Sequence, residues 1–134
     1  MILLDTHVVV HYVRGDRKLG KRAVAAIDRA LERDELFVSA LSFWEVTMLV
    51  AKDRLVLDMP PAGFRAALVS QGIQEVAIDG EIAIAAGELP PGHGDPADRL
   101  IVATAMVRGL TLVTADDVLL AWRMRGYRAQ DATT

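Results

Sequence analysis

The sequence predicts an α/β domain built on a parallel sheet of four or five strands flanked by helices. Three observations carry that expectation. Four short runs, Ile2-Leu3-Leu4, Leu36-Phe37-Val38, Gln74 to Ala77 and Thr111-Leu112-Val113, have strand length and end at polar or turn residues. Stretches with helical spacing separate them. Strands alternating with helices need crossover connections, and those build a parallel sheet.

Each element has a local reason. After Ile2 to Leu4 the chain stops at Asp5-Thr6, and Val8 to Val13 reads as a short helix closed by the turn Arg14-Gly15-Asp16. Apolar residues at 19, 23, 24, 27, 30 and 31 predict a helix from Leu19 to Arg33. The second strand ends at Ser39. Ser42, with Glu45 three residues on, has the form of a capping box for a helix reaching about Lys52. Pro60-Pro61 opens a further helix to about Ser70, and Asp79 caps one through Ala86. Residues 90 to 96 read as a loop. The apolar positions 97, 100, 101, 103, 105 and 107 predict a well-buried helix closed by Gly109. Asp116 or Asp117 starts a short helix after the fourth strand, and Tyr127-Arg128-Ala129 reads as an edge strand. The last four residues are expected to fray.

The 134 residues fit one domain with one core. A net charge of −3 is unlike that of a simple nucleic-acid coat, so a nucleic-acid substrate would require bound cations to offset the charge. No cysteine is present, which excludes disulfides and thiolate metal sites and leaves oxygen or imidazole as ligands. Asp5 and His7 interrupt the first apolar stretch, so neither a signal peptide nor a membrane helix is expected, and a soluble, cytoplasmic protein is.

Several acids stand where a soluble fold does not need them. Ligands of an open parallel sheet bind beyond the carboxyl ends of the strands. Asp5 directly follows the first strand, and Asp116 lies three residues past Val113. Glu45 shares a helical face with Leu41, Met48 and Leu49; Asp98 shares one with Ile101, Val102 and Ala105. Ionised carboxylates on an apolar stripe are costly unless compensated, and two at 4 Å repel by roughly 4 kcal/mol at an effective dielectric near 20. A divalent cation relieves this, and carboxylate oxygens suit Mg²⁺ or Mn²⁺. Such ions also take phosphate oxygens, which points to metal-assisted phosphodiester hydrolysis. Each acid also has an ordinary role: Asp5 and Asp116 as helix caps, Glu45 completing a capping box, Asp98 as a first-turn acid favoured by the helix dipole.

Four segments occur in a telling order: Asp5-Thr6-His7 after the first strand, Ser39 to Glu45 (SALSFWE), His93 to Ala105 (HGDPADRLIVATA), and Leu112 to Asp116 (LVTAD). Together they resemble the PIN-domain ribonucleases, specifically the VapC-like toxins of type II toxin–antitoxin pairs, over Ile2 to about Arg128. The resemblance implies a PIN-like fold. It implies an acidic quartet of Asp5, Glu45, Asp98 and Asp116 that holds Mg²⁺ or Mn²⁺, with Asp116 preferred to Asp117 because it completes Thr-x-Asp. It implies endoribonuclease activity that leaves a 5′-phosphate and a 3′-hydroxyl on RNA, a cognate VapB-like antitoxin, and a homodimer.

Thr6, Ser39, Asp95 and Thr114 lie beside the acids and are candidates to orient a carboxylate or a metal-bound water; local turn and cap bonds are their other role. Arg99 is a candidate ion-pair or phosphate contact, and His93 a candidate substrate contact in its loop. No histidine is expected to ligate metal. Arg14, Arg17, Lys18, Lys21 and Arg22 form a basic group, either facing RNA or simply solvated. Trp44 is expected in the core or a dimer contact, with Val8 to Val10 and Tyr12 as further interface residues. Two other functions remain open: a PIN-type nuclease acting on other RNA or DNA without an antitoxin, and a non-catalytic binding module. Other phosphate chemistries fit poorly. Position 7 breaks the Asp-x-Asp of a dehalogenase-type hydrolase, the only lysines are Lys18, Lys21 and Lys52, and no glycine-rich phosphate loop is present.

Overall fold

A computed structural model describes residues 1–92 and 94–134. Among them the order is β1 (Ile2–Leu4), α1 (Thr6–Arg14), α2 (Lys21–Glu32), β2 (Leu36–Ser39), α3 (Ala40–Ala51), α4 (Pro61–Ser70), β3 (Gln74–Val76), α5 (Gly80–Glu88), α6 (Pro96–Arg108), β4 (Thr111–Thr114), α7 (Asp117–Ala121) and β5 (Arg128–Asp131). The five strands form one sheet in the order β3-β2-β1-β4-β5, with every pairing parallel. The expected class therefore holds, with five strands rather than four.

Alternation along the strands sorts two cores. Leu4, Leu36, Val38 and Val113 face α1 to α4, where Val8, Val9, Ile27, Val46, Phe64 and Leu68 are buried. Leu3 and Leu112 face the other way, onto Ile82, Ile101, Val102 and Leu119 of α5, α6 and α7. Val8, Val9 and Val10 lie in the first core, 1%, 0% and 3% exposed. They are packing residues, which corrects the expectation that they feed an interface.

Two further expectations change. α3 starts immediately after β2, and its N-cap is Ser39, whose hydroxyl accepts from the Leu41 N–H at 3.1 Å. Ser42 is not the cap. It lies inside the first turn, buried, and Glu45 does not close a capping box. Ser39 wins because β2 still pairs at that residue, opposite Val76, and the chain turns into the helix at the next one. The chain end is also docked rather than frayed: Ala132 is buried, its carbonyl accepts from the Gly20 N–H, and the Thr134 carbonyl accepts from the Arg22 N–H, both at 2.9 Å. A side chain at position 20 would collide with the backbone of Thr134, so glycine is required there. Two other helix ends are as expected. Asp79 caps α5, and Gly109, at φ 67°, closes α6 in the left-handed conformation.

Candidate active site

Strand order reverses direction at β1, where β2 lies on one side and β4 on the other. That switch point is where a parallel sheet leaves a crevice beyond its carboxyl edge. The Asp5 N–H donates to the Val113 carbonyl at 3.0 Å, so the residue just past β1 is held against the end of β4. There Asp5, Glu45, Asp98 and Asp116 line one cleft of about 350 Å³, together with Asp95, His7, Val8 and Ala115. All four acids of the expected quartet are half-buried. Asp117, the other candidate for the fourth position, is exposed at the first residue of α7 and is not part of the lining.

Local folding explains each placement. Asp5 caps α1: one carboxylate oxygen accepts from the Thr6 N–H at 2.8 Å, the other from the Thr114 hydroxyl at 2.6 Å. Asp116 caps α7 through the N–H groups of Val118 and Leu119, at 2.8 and 3.2 Å. Asp95 caps α6 through Ala97 N–H at 2.9 Å, which sets Asp98 in the first turn of that helix. Thr114 bridges two acids, accepting from the Asp116 N–H at 3.1 Å while donating to Asp5. The ordinary capping roles of Asp5 and Asp116 are therefore real, and they aim carboxylates at the cleft. Parallel strands end side by side, so the helix starts that follow them also lie side by side, and their positive dipole ends partly offset the acids.

Glu45 accepts from the Thr6 hydroxyl at 2.6 Å, and the Thr6 and Ser42 hydroxyl oxygens are 2.8 Å apart. Burial pushes the Glu45 carboxyl above its ordinary value; Thr6 opposes this, and the charges of Asp5, Asp98 and Asp95 reinforce it. Tyr127 feels the same field. Its phenol is pushed up to about 12 by burial, then by Asp5, Asp116 and Asp98. It stays protonated and donates to the Leu119 carbonyl at 2.9 Å.

The donor set is carboxylate oxygen. Among the described residues no three acidic or imidazole side chains form a ready cage for one ion. An open arrangement of this kind fits Mg²⁺ or Mn²⁺ chemistry, because Mg²⁺ keeps several waters and uses only one or two carboxylates plus substrate phosphate. The mutual charge of the acids supplies the reason to take up a cation.

The other candidates separate. Ser39 is fully buried as the α3 cap. Arg99 donates to the carbonyls of Ala86, Leu89 and Pro90, at 3.2, 2.5 and 3.1 Å, and so secures the end of α5. His93 lies outside the described residues. The basic residues Arg14, Arg17, Lys18, Lys21 and Arg22 are exposed along the link from α1 to α2. Trp44 is not core: it is 55% exposed and borders a mostly apolar groove of about 490 Å³ that shares Glu45 and Asp95 with the acidic cleft. Sequence reasoning missed Ser42 and Tyr127 as neighbours of the site. Ser42's signal was its position three residues before Glu45, which places both on one helical face. Tyr127 gave none.

Comparison with known proteins bears on the family and the fold. Residues 2–121 match the PIN domain family. Ribonuclease VapC22 of Mycobacterium tuberculosis is 37% identical over 128 residues, covering 95% of this chain and 92% of that protein. Among solved structures, VapBC2 from Rickettsia felis bound to a DNA fragment from its promoter superposes with a TM-score of 0.71 at 16% identity, covering 98% of each chain. A toxin–antitoxin complex from Klebsiella pneumoniae does so with a TM-score of 0.62 at 21% identity, covering 95% of each. These two likenesses speak for the fold, and the first relative for the family. With the parallel sheet and the carboxylates at its switch point, they make the chain a PIN-domain protein of the VapC ribonuclease family.

Proposed function

We propose that the protein is the ribonuclease toxin of a toxin–antitoxin pair, and that Asp5, Glu45, Asp98 and Asp116 hold Mg²⁺ or Mn²⁺ for hydrolysis of RNA phosphodiester bonds. One observation carries the site assignment. Four acids from four separate chain segments line a single cleft at the sheet's switch point, close enough that three of the others reinforce the upward shift at Glu45 or Tyr127.

When bound, the cation neutralises phosphate charge and lowers the pKa of a water. The protein's own groups do the rest. Asp5 is held rigid by the Thr6 N–H and the Thr114 hydroxyl, so its carboxylate keeps one orientation. Glu45 is held through Thr6. The reaction forms a bond from water oxygen to phosphorus and breaks the bond to the 3′-oxygen, leaving a 5′-phosphate and a 3′-hydroxyl. An antitoxin partner is supported by the toxin–antitoxin complex from Klebsiella pneumoniae, which contains a chain of the same fold. A homodimer and a cytoplasmic location, where RNA is met, complete the proposal.

The test is cleavage of RNA with Mg²⁺ or Mn²⁺, with EDTA, and with Asp5→Asn and Asp98→Asn. Cleavage is expected only in the wild type with metal. Undiminished cleavage in EDTA or in either variant overturns the proposal.

A further inference from the structure

Thr6 and Ser42 are each 1% exposed, and their hydroxyls form a chain that ends on Glu45. Thr6 Oγ1 lies 2.6 Å from Glu45 Oε1 and 2.8 Å from Ser42 Oγ. A hydroxyl has one proton to give. Ionised Glu45 can only accept, so the Thr6 proton is committed to Oε1. The contact between the two hydroxyls then has one polarity left: Ser42 donates to Thr6. Each bond in such a chain polarises the next, so the Ser42 proton strengthens the bond that Thr6 makes.

The chain also joins two parts of the cleft. Thr6 opens α1, directly after Asp5; Ser42 and Glu45 share a face of α3. Among the described residues nothing donates to Glu45 Oε2. We infer that Ser42 is a positioning residue for the metal site: by fixing the Thr6 proton on Oε1 it holds the Glu45 carboxylate in one orientation and leaves Oε2 for the cation. This rests on the metal-dependent function proposed above. The competing role is purely structural, two buried hydroxyls tying α1 to α3.

Binding of Mn²⁺ alone, without RNA, separates these roles. Free Mn²⁺ is followed by electron paramagnetic resonance for wild type, Ser42→Ala, Ser42→Cys, Thr6→Val and Thr6→Ser, with thermal melts of each in EDTA. Losing an outer hydrogen-bond partner typically costs about 10–100-fold in metal affinity. Ser42→Ala and Thr6→Val are expected to weaken Mn²⁺ binding by about tenfold or more. Ser42→Cys, a weak donor, should fall between wild type and Ser42→Ala, and Thr6→Ser, which keeps the hydroxyl, should stay close to wild type. Lowered melting temperatures with unchanged Mn²⁺ affinity in Ser42→Ala and Thr6→Val assign the hydroxyls a structural role and overturn the inference while the metal proposal stands. Should Ser42→Ala not fold, unchanged affinity in Ser42→Cys and Thr6→Val overturns it equally. Failure of the wild type to bind Mn²⁺ defeats the metal proposal itself, and the positioning role with it.

Discussion

Glu45, on α3 beside the cleft, and Glu75, on β3 at the sheet edge, are the same amino acid held in opposite ways. Glu75 receives two hydrogen bonds from the Arg65 guanidinium, at 2.6 and 3.1 Å, and its carboxyl is lowered by that pairing. Asp79 is likewise lowered, first by the Ile82 N–H and then by Arg108. Glu45 has a neutral hydroxyl as its donor and acidic neighbours, and burial raises it. The edge acids are neutralised by the protein's own arginines. The cleft keeps unfavourable charge, as the cation site proposed above requires.

The largest test of that contrast is catalytic. Asp5→Asn and Asp98→Asn should lower RNA cleavage by more than the roughly 100-fold that loss of an outer partner can cost, while Glu75→Gln leaves cleavage unchanged in the same assay. Next comes Thr114→Val. Thr114 is fully buried and bridges Asp5 and Asp116, so its loss should cost about 10–100-fold in Mn²⁺ affinity or cleavage. Equal activity would mean that the caps alone hold the two acids.

Stability gives a subtler contrast. In EDTA at pH 7, Glu45→Gln should melt above the wild type, because an ionised group in an unfavourable place is removed; Mn²⁺ should then raise the melting temperature of the wild type more than that of the variant. The pH dependence has opposite signs at the two glutamates. Folded Glu45 holds its proton more tightly than unfolded, so the metal-free fold loses stability as pH rises from the ordinary value of 4.5 through the raised one. Glu75's contribution is present above 4.5 and fades as pH falls through its lowered value. Melts from pH 3 to 8, on wild type, Glu45→Gln and Glu75→Gln, should show each variant losing one of these slopes. The smallest effect belongs to Arg65→Ala: an exposed pair, little change in melting temperature, less still in high salt, and no change in Mn²⁺ affinity.

How far the sequence could be read follows from how local each feature is. Strand lengths, helical stripes, the Asp79 cap and the Gly109 terminator depend on neighbours along the chain, and the structure has them where expected. The four acids were visible because two sit on apolar stripes, two follow strands, and the ordered segments resemble a known family. The start of α3 was misread because Ser39 and Ser42 both have capping chemistry, and only pairing of β2 with β3 decides between them. The docked chain end depends on Gly20 and Arg22, more than 100 positions away, with no pattern to announce it.

The sequence by itself therefore determined the alternating α/β plan and the acids worth watching, since burial patterns and caps are written in adjacent residues. Only the tertiary structure decided that β1 lies between β2 and β4, which puts the Thr114 hydroxyl on Asp5 across 109 positions and the Thr6 hydroxyl on Glu45 across 39. Those contacts belong to side chains that meet only after the sheet has paired. Hydrogen-bond direction depends on that meeting, so the electrostatics of the cleft are a property of the fold.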